Sequence, residues 1–95
     1  MNGMVSIAPY SIAEIKQLTT STTAQDVAVN GRCFIIQNNH ATEPLYFKEK
    51  NGVAATTTNS WKLDAGATTF PILLSGSTLS VVAGGAGTGI VIFLE

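Results

Sequence analysis

Arg32-Cys33-Phe34-Ile35-Ile36-Gln37-Asn38 decides the fold. Its centre is apolar at every position, so both of its faces must find cover, and it reads as a central β-strand. A polar loop follows, Asn38-Asn39-His40-Ala41-Thr42-Glu43-Pro44, and Pro44 opens the strand Leu45-Tyr46-Phe47-Lys48-Glu49-Lys50. Asn51-Gly52 is a strong turn dipeptide, and Val53 to Asn59 is a long loop of small residues. Ser60-Trp61-Lys62-Leu63 alternates and ends at the turn Asp64-Ala65-Gly66. Thr68 to Leu74 carries Phe70, Ile72 and Leu74 on one face, and Pro71 puts that strand at an edge or a bulge because it lacks a donor. Thr78 to Val82 and Gly89 to Glu95 are the last two strands, joined by the glycine-rich run 83–89, which reads as a hairpin connection.

Working backwards from Arg32, Asp26 to Val29 is a strand ending at the turn Asn30-Gly31. Residues 12–18 are ambiguous. Ser11-Ile12-Ala13-Glu14 fits a helix capping box, with Ile12, Ile15 and Leu18 three apart. The short length and the Thr/Ser run behind it favour a strand. The pattern predicts an all-β fold, an eight-stranded antiparallel β-sandwich of jelly-roll type. Residues 12–95 form the sandwich and residues 1–11 an N-terminal arm. The expected inward set is Ile35, Phe47, Trp61, Phe70, Leu79 and Ile92.

Ninety-five residues support one core, with about 64% of the unfolded surface buried on folding. Charged residues are 12% of the chain, against about 25% in an average soluble domain. Threonine, serine and glycine take their place. A net charge of −1 argues against a protein that lives on phosphate backbones, and Lys48, Lys50 and Lys62 are too few for a nucleic-acid stripe. The start has no basic residues and no long apolar run, and the longest apolar stretch, Ile90 to Leu94, is far too short for a membrane helix. The expectation is a protein made in a cytoplasm, with neither nucleic acid nor membrane as partner.

Catalytic chemistry finds few candidates. His40, the sole imidazole, lies in a loop beside Asn38 and Asn39 with no acid at a suggestive spacing, which argues against a Ser-His-Asp set. Cys33 is the sole thiol, so an intrachain disulfide and a thiolate zinc site have no material. The carboxylates of Glu14, Asp26, Glu43, Glu49, Asp64 and Glu95 are scattered, one per strand end or turn. The glycines at 84–89 precede a strand instead of the helix N-terminus that binds phosphate. No catalytic, cofactor or metal site is expected. Trp61, Tyr46 and Tyr10 are the material for a sugar-stacking platform, although Trp61 alternates as a core residue would.

A low-charge surface suits a protein packed against neighbours. The expected contacts are Met4, Val5, Ile7, Pro9 and Tyr10 on the apolar arm, and Asn39, His40 and Pro44 in the polar loop.

Phe34-Ile35-Ile36-Gln37-Asn38, Pro44-Leu45-Tyr46-Phe47, Leu63-Asp64-Ala65-Gly66, Leu79-Ser80-Val81-Val82-Ala83 and Gly87-Thr88-Gly89-Ile90-Val91-Ile92 follow one another in a recognisable order. Over residues 16–95 the chain resembles the small β-sandwich structural proteins encoded near the capsid genes of tailed bacteriophages. The resemblance implies a virion protein on the capsid exterior, a decoration or cement protein without an active site. Its partners would be the major coat protein and itself, as a homodimer or homotrimer. A tail or head-fibre module and a carbohydrate-binding β-sandwich using Trp61 and Tyr46 on one sheet face are the alternatives.

Overall fold

The structure, a computed structural model, describes residues 6–7 and 10–95. Met4, Val5 and Pro9 lie outside the described residues. The described chain is all-β, without a helix. Its strands are β1 (Ser6–Ile7), β2 (Tyr10–Thr20), β3 (Gln25–Ala28), β4 (Cys33–Asn38), β5 (Leu45–Glu49), β6 (Trp61–Leu63), β7 (Ile72–Leu73), β8 (Thr78–Ala83) and β9 (Gly87–Leu94). The ambiguous segment 12–18 is strand, the middle of β2. β2 begins at Tyr10, so the boundary drawn at residue 11 falls inside it. The short β1 pairs with the start of β2, Ile7 opposite Tyr10, which brings this part of the expected arm into a sheet.

All pairings are antiparallel. One sheet has the order β1-β2-β9-β4-β7 and the other β3-β8-β5-β6. From β2 onward every connection crosses between the sheets except β5 to β6. This corrects the reading of 83–89: the run joins β8 to β9 across the sandwich and is no hairpin. Gly31, at the β3–β4 crossing, has φ of 95°. An added Cβ there would stand 2.3 Å from the Leu94 carbonyl oxygen, which already accepts the Arg32 N–H at 2.7 Å. Only glycine fits so close to another backbone with that φ.

The shared core comes from the inner faces of both sheets. Leu18, Phe34, Ile36, Val91 and Phe93 meet Val27, Leu45, Phe47, Leu63, Leu79 and Val81. The alternation along β4 and β9 sends their other residues outward. Cys33, Ile35 and Leu94 form a second buried cluster, with Ile12 and Ile92 packed on it. The two-faced apolar character of β4 therefore has a physical counterpart on each side of the sheet.

Of the expected inward set, Phe47 and Leu79 sit in the shared core, while Ile35 and Ile92 belong to the outer cluster. Trp61 and Phe70 are corrections, at 62% and 87% exposed. Trp61 shares a face with Phe47, but it lies on the edge strand β6, beyond the reach of the opposite sheet. Phe70 falls between the isolated bridge at Thr68 and β7, where no continuous strand fixes its direction. Pro71 does stand at an edge, since β7 is the last strand of its sheet.

Candidate functional site

The two long sides of the sandwich are closed differently. On the β2–β3 side, Lys16 Nζ donates to the Ala28 carbonyl at 2.8 Å and lies 5.7 Å from the centre of the Phe93 ring. Gln25 Nε2 donates to the Thr19 carbonyl at 2.9 Å, and Asn30 Nδ2 to Glu14 Oε1 at 3.3 Å. These bonds stitch β2 to β3 and the turn after it.

On the β6–β7 side the edges stand apart. Between them opens a cavity of about 380 Å³, within the range of small-ligand sites. Phe34 and Phe47 form its apolar floor, with Trp61 on one flank and Ile72 on the other, where neighbouring Leu73 turns its side chain to the outer face beside Cys33. The rings stack edge to face in series: Phe34 on Phe47 at 6.0 Å, and Phe47 on Trp61 at 5.7 Å and 88°. This contact orients the Trp61 indole while leaving it exposed. Glu49, Asn51, Asn59 and Ser75 make the rest of the lining polar; Lys48 borders it too, but its side chain belongs to the Tyr46 face of β5.

Glu49 ties the rim together. Ser75 donates its hydroxyl to Glu49 Oε2 and its N–H to Oε1, the latter at 2.6 Å. These hydrogen bonds, the hydroxyl's first, hold the carboxyl below its ordinary value of 4.5, with a smaller contribution from the Gly76 N–H against a slight opposing effect of burial. A carboxyl lowered on folding adds stability above its unfolded pKa and loses it as pH falls through the folded one. Glu49→Gln is therefore expected to flatten the loss of thermal stability below pH 4.5 while reducing stability modestly near neutrality. Parallel melting curves from pH 7 to pH 3 check it.

The expected contact loop lies at another place. Asn38 is buried, and its Nδ2 donates to the carbonyls of Glu43 at 3.0 Å, Leu63 at 3.1 Å and Asp64 at 3.3 Å. Its Oδ1 accepts the His40 N–H at 3.0 Å. His40 Nδ1 then accepts the N–H groups of Thr42 and Glu43 at 3.0 and 2.9 Å. His40 is thus a turn-former with an occupied ring nitrogen. Asn39 is exposed, and His40 and Pro44 are half-buried. Ile7 and Tyr10 lie on the β1–β2 hairpin, while the loop residues sit between β4 and β5.

Tyr46 does not join Trp61. Tyr46 pairs with Lys62 and Phe47 with Trp61, so the two aromatic side chains belong to opposite faces of their sheet. The single-face platform of Trp61 and Tyr46 is corrected to Trp61 over Phe47 and Phe34. Sequence reasoning missed Glu49, Asn51 and Ile72 as its companions, because they converge only when β6 and β7 end as edges of opposing sheets.

No known protein family, curated protein or solved structure matches this chain.

Proposed function

We propose that this chain is a non-enzymatic structural protein of a tailed-bacteriophage particle. In this reading it is a head decoration protein, made in the host cytoplasm, that self-associates on the capsid exterior and clamps neighbouring coat subunits. The observation that carries the reading is the outer face of the β2-β9-β4-β7 sheet. Ile12, Leu94, Cys33 and Leu73 line up across four strands, and Ile15, Ile92 and Ile35 form the next row. Ile15 is 51% and Leu73 74% exposed at the ends of these rows. An antiparallel sheet that meets water on one side normally alternates apolar and polar residues. Cys33, Ile35 and Leu94 at the centre are buried within the chain itself, so the apolar surface this face offers a partner is Ile15 and Leu73 at its two ends, with half-buried Ile12 and Ile92 between.

Strand order supports the same reading. Counted from β2, the orders β2-β9-β4-β7 and β3-β8-β5-β6, with crossings at all but one connection, are those we infer for a jelly roll, a fold common in capsid proteins. The resemblance over residues 16–95 and the sparse charge point the same way. Clamping would then act through apolar burial, and several modest contacts made at once would give tight attachment.

Self-association through this face gives the first test. Light scattering at micromolar concentration, alone and with coat shells, is expected to find a dimer or trimer. Ile15→Lys, which places a charge on the outer face, is expected to shift it to monomer with an unchanged circular dichroism spectrum. A wild-type monomer under both conditions would contradict the self-association.

A further inference from the structure

The outer sheet face gives no role to the opening between β6 and β7. We propose that this opening is a binding site for a neutral saccharide, stacked on Trp61.

The chemistry of the lining selects the ligand. An indole 62% exposed and held by edge contact with Phe47 offers a flat apolar surface that needs no reordering on binding. Sugar rings carry C–H groups on their faces and hydroxyls around their rims. They therefore match an aromatic floor with polar walls. An apolar protein side chain seated in the mouth would strip water from the Glu49 carboxylate without replacing it, which opposes binding. A hydroxyl-rich ligand replaces that water with hydrogen bonds.

Hydrogen-bonding capacity remains at the rim. Among the described residues, the side chain of Asn51 has no hydrogen-bond partner and stands ready as donor and acceptor. Glu49 accepts from both Ser75 donors and from the Gly76 N–H, and its carboxylate, with two lone pairs on each oxygen, keeps one acceptor site open. Asn59 is committed to its own loop, where its Oδ1 accepts the Thr56 N–H at 2.7 Å and its Nδ2 donates to the Ala54 carbonyl at 3.0 Å. It shapes the wall more than it recognises a ligand. Glu49 is the one charged side chain that β5 sends to the Phe47 face of the mouth, and its negative charge favours a neutral sugar over a sialic acid or a sugar phosphate.

Trp61 is the only tryptophan in the chain, so emission under tryptophan-selective excitation reports on this site without Tyr10 and Tyr46. The probes are glucose, galactose and N-acetylglucosamine, then their trisaccharides, with sialic acid as the charged control. A saturable change of Trp61 emission with at least one neutral probe, larger than with sialic acid, is expected. Saturation-transfer NMR on that sugar then compares variants. Trp61→Ala is expected to weaken binding about tenfold or more, the order of a lost aromatic contact, while Trp61→Phe keeps it within a few-fold. Asn51→Ala, in the exposed loop, is the second variant and is expected to weaken binding without altering the melt. No emission change with any neutral probe would overturn the proposal. So would binding that neither Trp61→Ala nor Asn51→Ala reduces, or preferential binding of sialic acid. Because the oligomer test reads the outer sheet face, either result stands without the other.

Discussion

Phe93→Ala is expected to cost about 3–5 kcal/mol, enough to unfold a domain of this size at ambient temperature. Phe93 is fully buried in the shared core, and its ring also receives the Lys16 ammonium at 5.7 Å. Truncation removes apolar area and leaves a cavity under the β2–β9 pair, where close packing limits collapse. It also removes the ring face from Lys16, whose bond to Ala28 helps close that side of the sandwich. Phe70→Ala is the matched control. At 87% exposed it has little to lose, and its effect should stay within about 0.5 kcal/mol. Urea unfolding of the two variants beside the wild type reads both. Equal destabilisation would contradict the placement of these rings.

Asn38→Asp has the second large effect. The two side chains have nearly the same shape, but Asp at this position replaces a donor of hydrogen bonds to three carbonyls with an acceptor. Three backbone acceptors from the loop after β4 and the end of β6 would then face an ionised oxygen in a buried site. An unsatisfied buried polar group costs about 1–3 kcal/mol and a charged one more, so a loss of about 3–4 kcal/mol at neutral pH is expected. Asn38→Ala removes the donor without adding the charge and is expected to be milder. Denaturant midpoints rank the pair, and an Asp variant as stable as wild type would show that the Asn38 network holds nothing together.

The elements with the strongest constraints were legible in sequence. β4 and β9 are apolar on both faces, so no choice of partner could make them loops, and they became adjacent central strands. Gly31, Gly52 and Gly66, each at an expected turn, all have positive φ. What a turn cannot encode is where the next strand goes. Asn30-Gly31 and the 84–89 glycines reverse the chain just as a hairpin would, yet both carry it into the opposing sheet. Edge positions escaped for a related reason. Alternation tells which residues share a face with Phe47, and it does so correctly for Trp61. It does not tell whether an opposing layer extends far enough to cover them.

The candidate site was half legible. The sequence singled out Trp61, but paired it with Tyr46, one residue off in register and therefore on the other face. Asn38 reads in sequence only as the junction of a strand and a polar loop. Its burial depends on β6 ending within reach of its amide, a long-range fact without a local signature.

The claim of a capsid-bound role rests most directly on one measurement, co-sedimentation of the full chain with coat-protein shells that lack it, at low ionic strength and at several-fold higher. The proposal expects saturable binding that persists at the higher salt, because apolar contact is screened far less than exchanged surface charge. A chain that stays in the supernatant at every concentration, or leaves the shells as salt is raised, would contradict it.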